Sequence, residues 1–211
     1  MFRVLCLCAA VLAVAGCATN RSQPNSDSAT IAAATYRDPG PNTLTLYTMV
    51  NNRTGAGGHS SLMINASERV IFDPAGSFYA DIVPERNDVL FGITPAVERA
   101  YRSSHARSTH HVVVQTVEVT PEQAQTAYQL ALNAGPVPGA YCANATSNLL
   151  KKVPGFEGIS PTFYPTKLQA QFDRLPGVRT EELYENDSPN LQEALARNNA
   201  QLVAQQKLSA E

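Results

Sequence analysis

The sequence lacks several features that mark common classes of protein. It has no tryptophan, a net charge of −2 at pH 7 and no strongly basic stretch, so nucleic acid is not an expected partner. After the N-terminal region it has no apolar run long enough to cross a membrane, and it has no internal repeat. No pair of histidine, aspartate or glutamate residues has metal-ligand spacing, so neither a metal nor another cofactor is expected.

The N-terminus has the pattern of a targeting signal. The first three residues, MFR, carry one positive charge, and the apolar stretch over 4–15 is too short to span a bilayer as a helix. The stretch is followed by Gly16 and Cys17, and the sequence VAGC resembles the lipobox, at which a bacterial lipoprotein is cleaved and its cysteine diacylated. The alternative is an ordinary secretory signal cleaved near Ala18.

The lipobox resemblance implies four segments in the chain. Residues 1–16 would be a signal peptide, and Cys17 would carry a lipid anchor in the cell envelope. Ala18 stands where an aspartate is associated with inner-membrane retention, which favours the outer membrane, facing the periplasm. Residues 17–42 are rich in small polar residues and are expected to form a flexible tether of roughly 25–30 Å. One domain over 43–185 and a C-terminal surface helix over 186–211 would follow.

The cysteine count leaves one thiol without a partner. Of four cysteines, Cys6 and Cys8 lie in the removed signal and Cys17 would carry lipid, so Cys142 alone would remain free. In an oxidising envelope an odd cysteine indicates a reactive thiol or an intermolecular bridge. A small, semi-apolar core residue is the structural alternative.

Periodicity and turn residues predict an α+β fold with hairpin strands and segregated helices. A strand is expected over 43–50, and a hairpin is expected from HSSLMI and RVIFD on either side of NASE. Thr94-Pro95 and Thr120-Pro121 are typical helix starts. The further expected elements are a strand over 110–119, helices over 141–153 and 165–175, a strand over 177–184 and a C-terminal helix from Ser188.

Cys142 is expected at the first turn of its helix. The preceding GPVPGA segment does not favour a helix, so the helix should begin at Tyr141-Cys142. Unpaired N–H groups and the positive end of the helix dipole would then face the sulfur. Both favour the thiolate, which is the nucleophilic form, and the same N–H groups could bind a developing oxyanion.

A thiol nucleophile needs a base, and histidine is the best-suited side chain. The chain has four histidines. His59 stands where a glycine-rich loop enters a strand, whereas His105 is expected at an exposed helix end. His110 and His111 begin a strand and point to opposite faces. The setting of His59 makes it the candidate base.

Asp73 is the candidate for the residue that orients the imidazole. A three-residue turn centred on Ala66 would make His59 and Asp73 cross-strand neighbours, and a slip of one residue would misdirect the carboxylate. The structural alternative is a turn residue before Pro74.

The stretches GGHSSLMI, VIFDPAG and YCANATSNLL together resemble the circularly permuted branch of the NlpC-type papain-like cysteine hydrolases. In that branch a histidine at a strand start precedes a cysteine at a helix start, and the fold is a small antiparallel sheet packed against the nucleophile helix. The resemblance covers about residues 43–175.

The resemblance also implies roles for individual residues. Cys142 would be the nucleophile, His59 the base and Asp73 the polar third member. Tyr141 would lie beside the nucleophile and help to polarise the scissile carbonyl, and Asn144 could act similarly. Many relatives have an asparagine where Tyr141 stands, a departure that bears on the substrate subfamily.

Three functions remain open from the sequence. The first is a lipid-anchored hydrolase that forms an acyl-enzyme on an amide, with a peptidoglycan stem peptide as the expected envelope substrate. The second is acyl-lipid hydrolysis or acyl transfer, as in relatives that resemble lecithin:retinol acyltransferase. The third is a non-catalytic binding or structural lipoprotein. The sequence gives no indication of an oligomeric state.

Overall fold

The computed structural model describes residues 24–210. The predicted signal peptide, Cys17 and the first part of the expected tether therefore lie outside the described residues. Within the described range, no helix combines the length and the apolar character needed to cross a bilayer.

In residues 24–210 the chain forms six helices and seven strands. In chain order these are α1 (Ser28–Ala34), β1 (Thr43–Asn51), β2 (Gly57–Asn65), β3 (Arg69–Phe72), β4 (Glu85–Arg86), β5 (Val89–Leu90), α2 (Pro95–His105), β6 (His110–Glu118), α3 (Pro121–Leu132), α4 (Cys142–Leu150), α5 (Pro165–Phe172), β7 (Arg179–Leu183) and α6 (Leu191–Ala210).

The seven strands form a single antiparallel sheet in the order β4-β5-β3-β2-β1-β6-β7. The predicted α+β class is confirmed, as are the hairpin of β2 and β3 and the long C-terminal helix. Strand β1 lies between β2 and β6, pairs with β6 along its whole length and with β2 over residues 43–50, and so aligns these two long strands.

Helices cover both faces of the sheet. On one face, Leu44 and Leu46 of β1 belong to a core that includes residues of α3, α4 and α5. On the other, Tyr47 and Met49 pack with residues of α2 and α6. Side chains alternate between the faces of a strand, so β1 is buried almost throughout.

Local capping explains where two of the helices begin. The Thr94 hydroxyl accepts the N–H of Val97 at the start of α2. At α3, Thr120 accepts the N–H of Gln123 while the Gln123 side chain accepts the N–H of Thr120, and the two bonds form a capping box. Proline occupies the first turn in both helices, where its missing N–H has no consequence.

Residues 24–42 do not form the flexible tether that was expected for this region. The guanidinium of Arg86 donates to the Ser26 carbonyl at 2.6 Å. Arg69, which is 6% exposed, donates to Asp38 at 2.7 Å and also pairs with Glu98. A buried guanidinium requires charged partners. The Asp38 carboxylate therefore compensates the buried charge of Arg69 and holds the segment before β1 to the domain.

The C-terminal helix α6 is more deeply packed than its thin apolar stripe suggested. Ala194, Leu195 and Leu202 are buried, and Leu195 and Leu202 belong to the core that includes α2. The amide of the buried Asn198 donates to Ser104 Oγ of α2 at 2.9 Å. Helix α6 therefore packs one face against the core over residues 194–202, while its other face and its last turns are exposed.

Truncation of this face should measure its contribution to stability. We expect Leu195→Ala and Leu202→Ala each to lower the free energy of unfolding in urea by about 2–4 kcal/mol, because each removes buried aliphatic volume. Leu208→Ala, at a position that is 74% exposed, is the matched control and should change it by less than about 0.5 kcal/mol. Equal, small effects at all three positions would show that α6 is not docked.

Candidate active site

The β2–β3 hairpin brings His59 and Asp73 together. His59 lies near the start of β2 and Asp73 directly follows β3. The two side chains meet with His59 Nε2 2.7 Å from Asp73 Oδ1. The predicted pairing of these two residues is therefore present.

The register that joins them differs from the predicted one by two residues. Leu62 pairs with Phe72, so Asp73 lies beyond the last pair, on the side of Ser61 rather than opposite His59. The turn is centred on Ser67, not on Ala66. A shift of two residues keeps every side chain on the same face of the sheet. His59 thus reaches Asp73 as a diagonal neighbour on that face.

The tight turn after β3 fixes the Asp73 carboxylate. The N–H of Gly76 donates to the Asp73 carbonyl at 2.9 Å. A Cβ at position 76 would lie 1.9 Å from Asp73 Oδ2, so only glycine leaves room for the carboxylate. The N–H of Asp73 itself donates to the carbonyl of Asp88 in the β4–β5 turn. The Asp73 backbone is therefore held both by its own turn and by the next hairpin, and Gly76 leaves room for the carboxylate.

Cys142 begins α4, as predicted, at an edge of the sheet that β3 leaves open. Strand β3 pairs only with residues 62–65 of β2, so in the described chain no strand covers residues 57–61 on that side. Helix α4 contacts β2 and shares a core with Leu62 and Phe72, which brings its first turn to this edge. The backbone N–H of Ser60 at this edge helps to lower the pKa of the Cys142 thiol.

The segment before α4 is anchored so that the helix starts at Cys142. The N–H of Val137 donates to Asp88 Oδ2 at 2.7 Å, and Ala140 takes a positive φ of 69°. The first helical hydrogen bond runs from the N–H of Ala145 to the Tyr141 carbonyl. The N–H groups of residues 142–144 thus lie ahead of the helical ladder, at its positive end.

The surroundings of Cys142 favour the thiolate. Burial of the thiol raises its pKa, but a hydrogen bond and positive charge from His59, together with backbone N–H groups of Ser60 and Ala143, outweigh the burial and lower the pKa. Cys142 is 7% exposed, so the sulfur is screened from bulk water without being sealed from it. These are the conditions in which a cysteine becomes a nucleophile.

The His59–Asp73 pair is charged in this environment. Burial lowers the pKa of His59, but the charge and hydrogen bond of Asp73 and the hydrogen bond to Cys142 raise it above its ordinary value. Burial raises the pKa of Asp73, and the charge and hydrogen bond of His59 reverse that effect and lower it. Because Nε2 is directed at Asp73, the nitrogen available to Cys142 is Nδ1.

The polar residues around His105 in the sequence suggested an exposed helix end, but His105 is buried. It is 6% exposed, and its ring stacks on that of His59 with centroids 6.1 Å apart. Nδ1 lies 2.8 Å from the Tyr101 carbonyl, to which it donates. Burial lowers the pKa of His105 to about 4, against a smaller opposing effect of Asp73. His105 is therefore the neutral histidine beside the charged one.

The two predicted accessory residues take different positions. Tyr141 flanks the nucleophile, is 45% exposed and packs edge-on against Phe163 with ring centroids 5.1 Å apart. The side-chain hydrogen bond of Asn144 is with Asn148 of its own helix, at 3.2 Å. Tyr141 therefore forms part of an exposed aromatic surface beside Cys142, while Asn144 is engaged along α4.

Two residues behind the site were not identified from the sequence. The Tyr101 hydroxyl lies 2.7 Å from both Asp73 Oδ1 and Ser61 Oγ. In the sequence, no pattern distinguishes Ser61 from an ordinary strand residue. The apolar spacing of Val97, Ala100 and Tyr101 would have placed Tyr101 on the buried face of α2. No pattern in the sequence indicates that the buried face of α2 contacts the Asp73 carboxylate.

No cluster of three histidine, cysteine, aspartate or glutamate residues within 24–210 has an arrangement that could hold a metal ion. A groove of about 820 Å³ lies away from the site, with Asn42, Ser67 and Gln125 among its lining residues. The groups that the site brings together for chemistry are the Cys142, His59 and Asp73 side chains and the nearby N–H groups.

The burial of neutral His105 should make stability depend on pH. Its pKa is about 4 in the folded state and about 6.5 when unfolded, so the unfolded state binds more protons between these values. The free energy of unfolding should thus fall as pH decreases from 6.5 to 4. We expect the difference between wild type and His105→Gln in urea denaturation to change by about 2–3 kcal/mol over this range, in favour of the variant at low pH. If the difference in free energy of unfolding between wild type and His105→Gln does not change with pH, His105 is not neutral in the folded protein.

Comparison of the chain with protein-family models, with curated proteins and with solved structures gives no significant match. The function is accordingly inferred from the geometry of the site.

Proposed function

We propose that this protein is an envelope lipoprotein with a cysteine hydrolase site, in which Cys142 is the nucleophile, His59 the base and Asp73 the orienting carboxylate. The observation that carries the proposal is the position of His59, which is hydrogen-bonded to the buried Asp73 and lies close enough to Cys142 to lower the pKa of its thiol. This is the arrangement by which an activated nucleophile, a base and an orienting group act together.

The reaction would proceed through an acyl-enzyme. The Cys142 thiolate attacks the carbonyl carbon, and the carbonyl oxygen takes the negative charge, which N–H groups at the start of α4 can stabilise. Protonated His59 gives its proton to the departing amine, and the C–N bond breaks to leave a thioester. His59 then takes a proton from water, the hydroxide attacks the thioester, and Cys142 is released with the acid product.

An amide in peptidoglycan stem peptides is the substrate that we favour. The N-terminal lipobox pattern would place the domain in the envelope, where this polymer is the abundant amide. The nucleophile lies at the open edge of β2 beside the exposed Tyr141, which suits a segment of a polymer. The order of His59 on a strand and Cys142 on a later helix, packed against an antiparallel sheet, also supports a permuted NlpC-type fold.

One observation favours a second candidate, hydrolysis or transfer of an acyl chain. Three aromatic side chains near the nucleophile are 45–61% exposed, namely Tyr141, Phe163 and Tyr164. Exposed aromatic rings beside a reactive thiol can bind an apolar substrate. The same acyl-enzyme chemistry would then act on an ester.

Two features weigh against the third candidate, a purely binding lipoprotein. In that case Cys142 and His59 need not be in contact, or the thiol could be fully buried. Here His59 lies close enough to Cys142 to lower the pKa of its thiol, and Cys142 retains 7% exposure. A charged His–Asp pair behind a thiol has no evident value for packing, because burial of charge is unfavourable.

The activated pair should appear in the rate of Cys142 alkylation by iodoacetamide against pH. With the full chain in detergent, we expect a thiol pKa well below about 8.5, and at pH 6.5 an alkylation rate about tenfold or more above that of His59→Ala. His111→Ala, which changes a histidine at the end of β6, is the matched control and should retain the wild-type profile. An ordinary thiol pKa that is indifferent to His59 would refute the hydrolase proposal.

The substrate class can be decided with the same proteins. Incubation with muropeptides should give a mass increase on Cys142 and release of the amine product, and Cys142→Ala should give neither. Acylation by acyl esters alone would establish the second candidate. An activated thiol that neither substrate acylates would favour the binding lipoprotein.

The lipid anchor requires a separate test, because Cys17 lies outside the described residues. In a bacterial host we expect the mature chain to begin at a diacylated Cys17, detected by mass spectrometry in the membrane fraction. Cys17→Ala should abolish this species, and Cys142→Ala, the control that removes the other thiol of the mature chain, should leave it intact. A soluble mature chain that begins at Ala18 would instead indicate an ordinary secretory signal.

A further inference from the structure

We propose that Tyr101 and Ser61 are positioning residues that hold the Asp73 carboxylate in the orientation in which it binds His59. The inference rests on the proposed function and adds two residues to the site, neither of which touches the reacting atoms. It follows from a continuous chain of hydrogen bonds on the face of the sheet that α2 covers.

The direction of each hydrogen bond in this chain can be assigned. Asp73 is ionised, because its pKa is lowered against the effect of burial, so the carboxylate can only accept. The Tyr101 hydroxyl, 2.7 Å from Asp73 Oδ1, must therefore donate its proton there. The hydroxyl of Ser61, 2.7 Å from the Tyr101 oxygen, then donates to Tyr101. A proton order of Ser61 to Tyr101 to Asp73 leaves each of these hydroxyl groups satisfied.

Both donors reach the same carboxylate oxygen. His59 Nε2 and the Tyr101 hydroxyl each lie 2.7 Å from Asp73 Oδ1. Rotation of the carboxylate would break both hydrogen bonds together, so the Tyr101 hydroxyl directs Oδ1 towards the imidazole. This control matters because His59 is a diagonal neighbour of Asp73 and does not face it directly across the hairpin.

The Tyr101 ring cannot easily move away from this position. Its side chain is fully buried, and three aromatic rings surround it, with centroid distances of 5.5 Å to Tyr47, 5.1 Å to Phe78 and 4.5 Å to His105. A buried aromatic ring with close neighbours has one rotamer available. The hydroxyl is thus a fixed donor, as a positioning role requires.

A buried tyrosine could also hold its hydroxyl in a hydrogen bond merely to avoid an unsatisfied polar group. Tyr47 provides the matched comparison. It is fully buried, it packs against Tyr101, and its hydroxyl donates to Glu98 at 3.0 Å instead of to the site. Removal of either hydroxyl leaves a buried phenylalanine, but only Tyr101→Phe removes a contact to Asp73.

The experiment compares the full chain in detergent as wild type, Tyr101→Phe, Tyr47→Phe and Ser61→Ala. The alkylation rate of Cys142 by iodoacetamide is measured from pH 5 to pH 10 (a range chosen to bracket the ordinary thiol pKa of about 8.5). We expect Tyr101→Phe to raise the apparent thiol pKa by about half a unit to one unit, which slows alkylation about three- to tenfold below the midpoint. Ser61→Ala should shift it in the same direction by less, and Tyr47→Phe should not shift it.

A second measurement reports on the His59–Asp73 contact itself. The ring N–H proton of His59 that is bonded to Asp73 should give a downfield NMR resonance, assigned by its loss in His59→Ala. We expect this resonance to be lost or broadened in Tyr101→Phe and retained in Tyr47→Phe. If Tyr101→Phe does not fold, Ser61→Ala carries the test in both measurements.

The outcomes separate this inference from the proposed function. A low thiol pKa that depends on His59, together with a wild-type profile and resonance in Tyr101→Phe and Ser61→Ala, would overturn the positioning role and leave the hydrolase proposal intact. An ordinary wild-type thiol pKa that is indifferent to His59 would overturn the proposed function and, with it, the inference.

Discussion

The structure around the candidate site depends on the burial of one charge, the Asp73 carboxylate. At 4% exposure this group requires compensation by hydrogen bonds and an opposite charge. His59 supplies the charge, Tyr101 supplies a second donor, and Gly76 leaves the space that the carboxylate occupies. Each of these contacts comes from a different element, so the carboxylate links the hairpin, α2 and the turn after β3.

The point at which β3 ends determines how α4 can approach β2. Because β3 stops at Phe72, the first half of β2 keeps an open edge, and the start of α4 can approach it. His59 can then contact a carboxylate supported from one face of the sheet and a thiol carried by a helix on the other. Because helices cover both faces of the sheet, the base can lie between a carboxylate and a thiol that are far apart in the chain.

Sequence reasoning succeeded where the interactions are local and failed where they are not. The helix start at Cys142 and the capping box of α3 follow from residues a few positions apart, and both are present. The predicted centre of the β2–β3 turn was wrong by one residue. The sequence also did not indicate that the face of α2 that carries Tyr101 and His105 lies at the site. Hairpin register depends on turn geometry and on packing of the whole strand, which the turn residues alone do not fix.

The sequence by itself determined which chemical groups are available and where their elements begin. It singled out Cys142 as the expected free thiol and marked His59 and Asp73 as its expected partners by their positions in a hairpin. Only the tertiary structure decided which oxygen of Asp73 faces His59, which histidine is charged and which hydroxyl supports the carboxylate. These outcomes depend on burial and on distances between elements remote in the chain, whereas periodicity and capping describe interactions within a few residues.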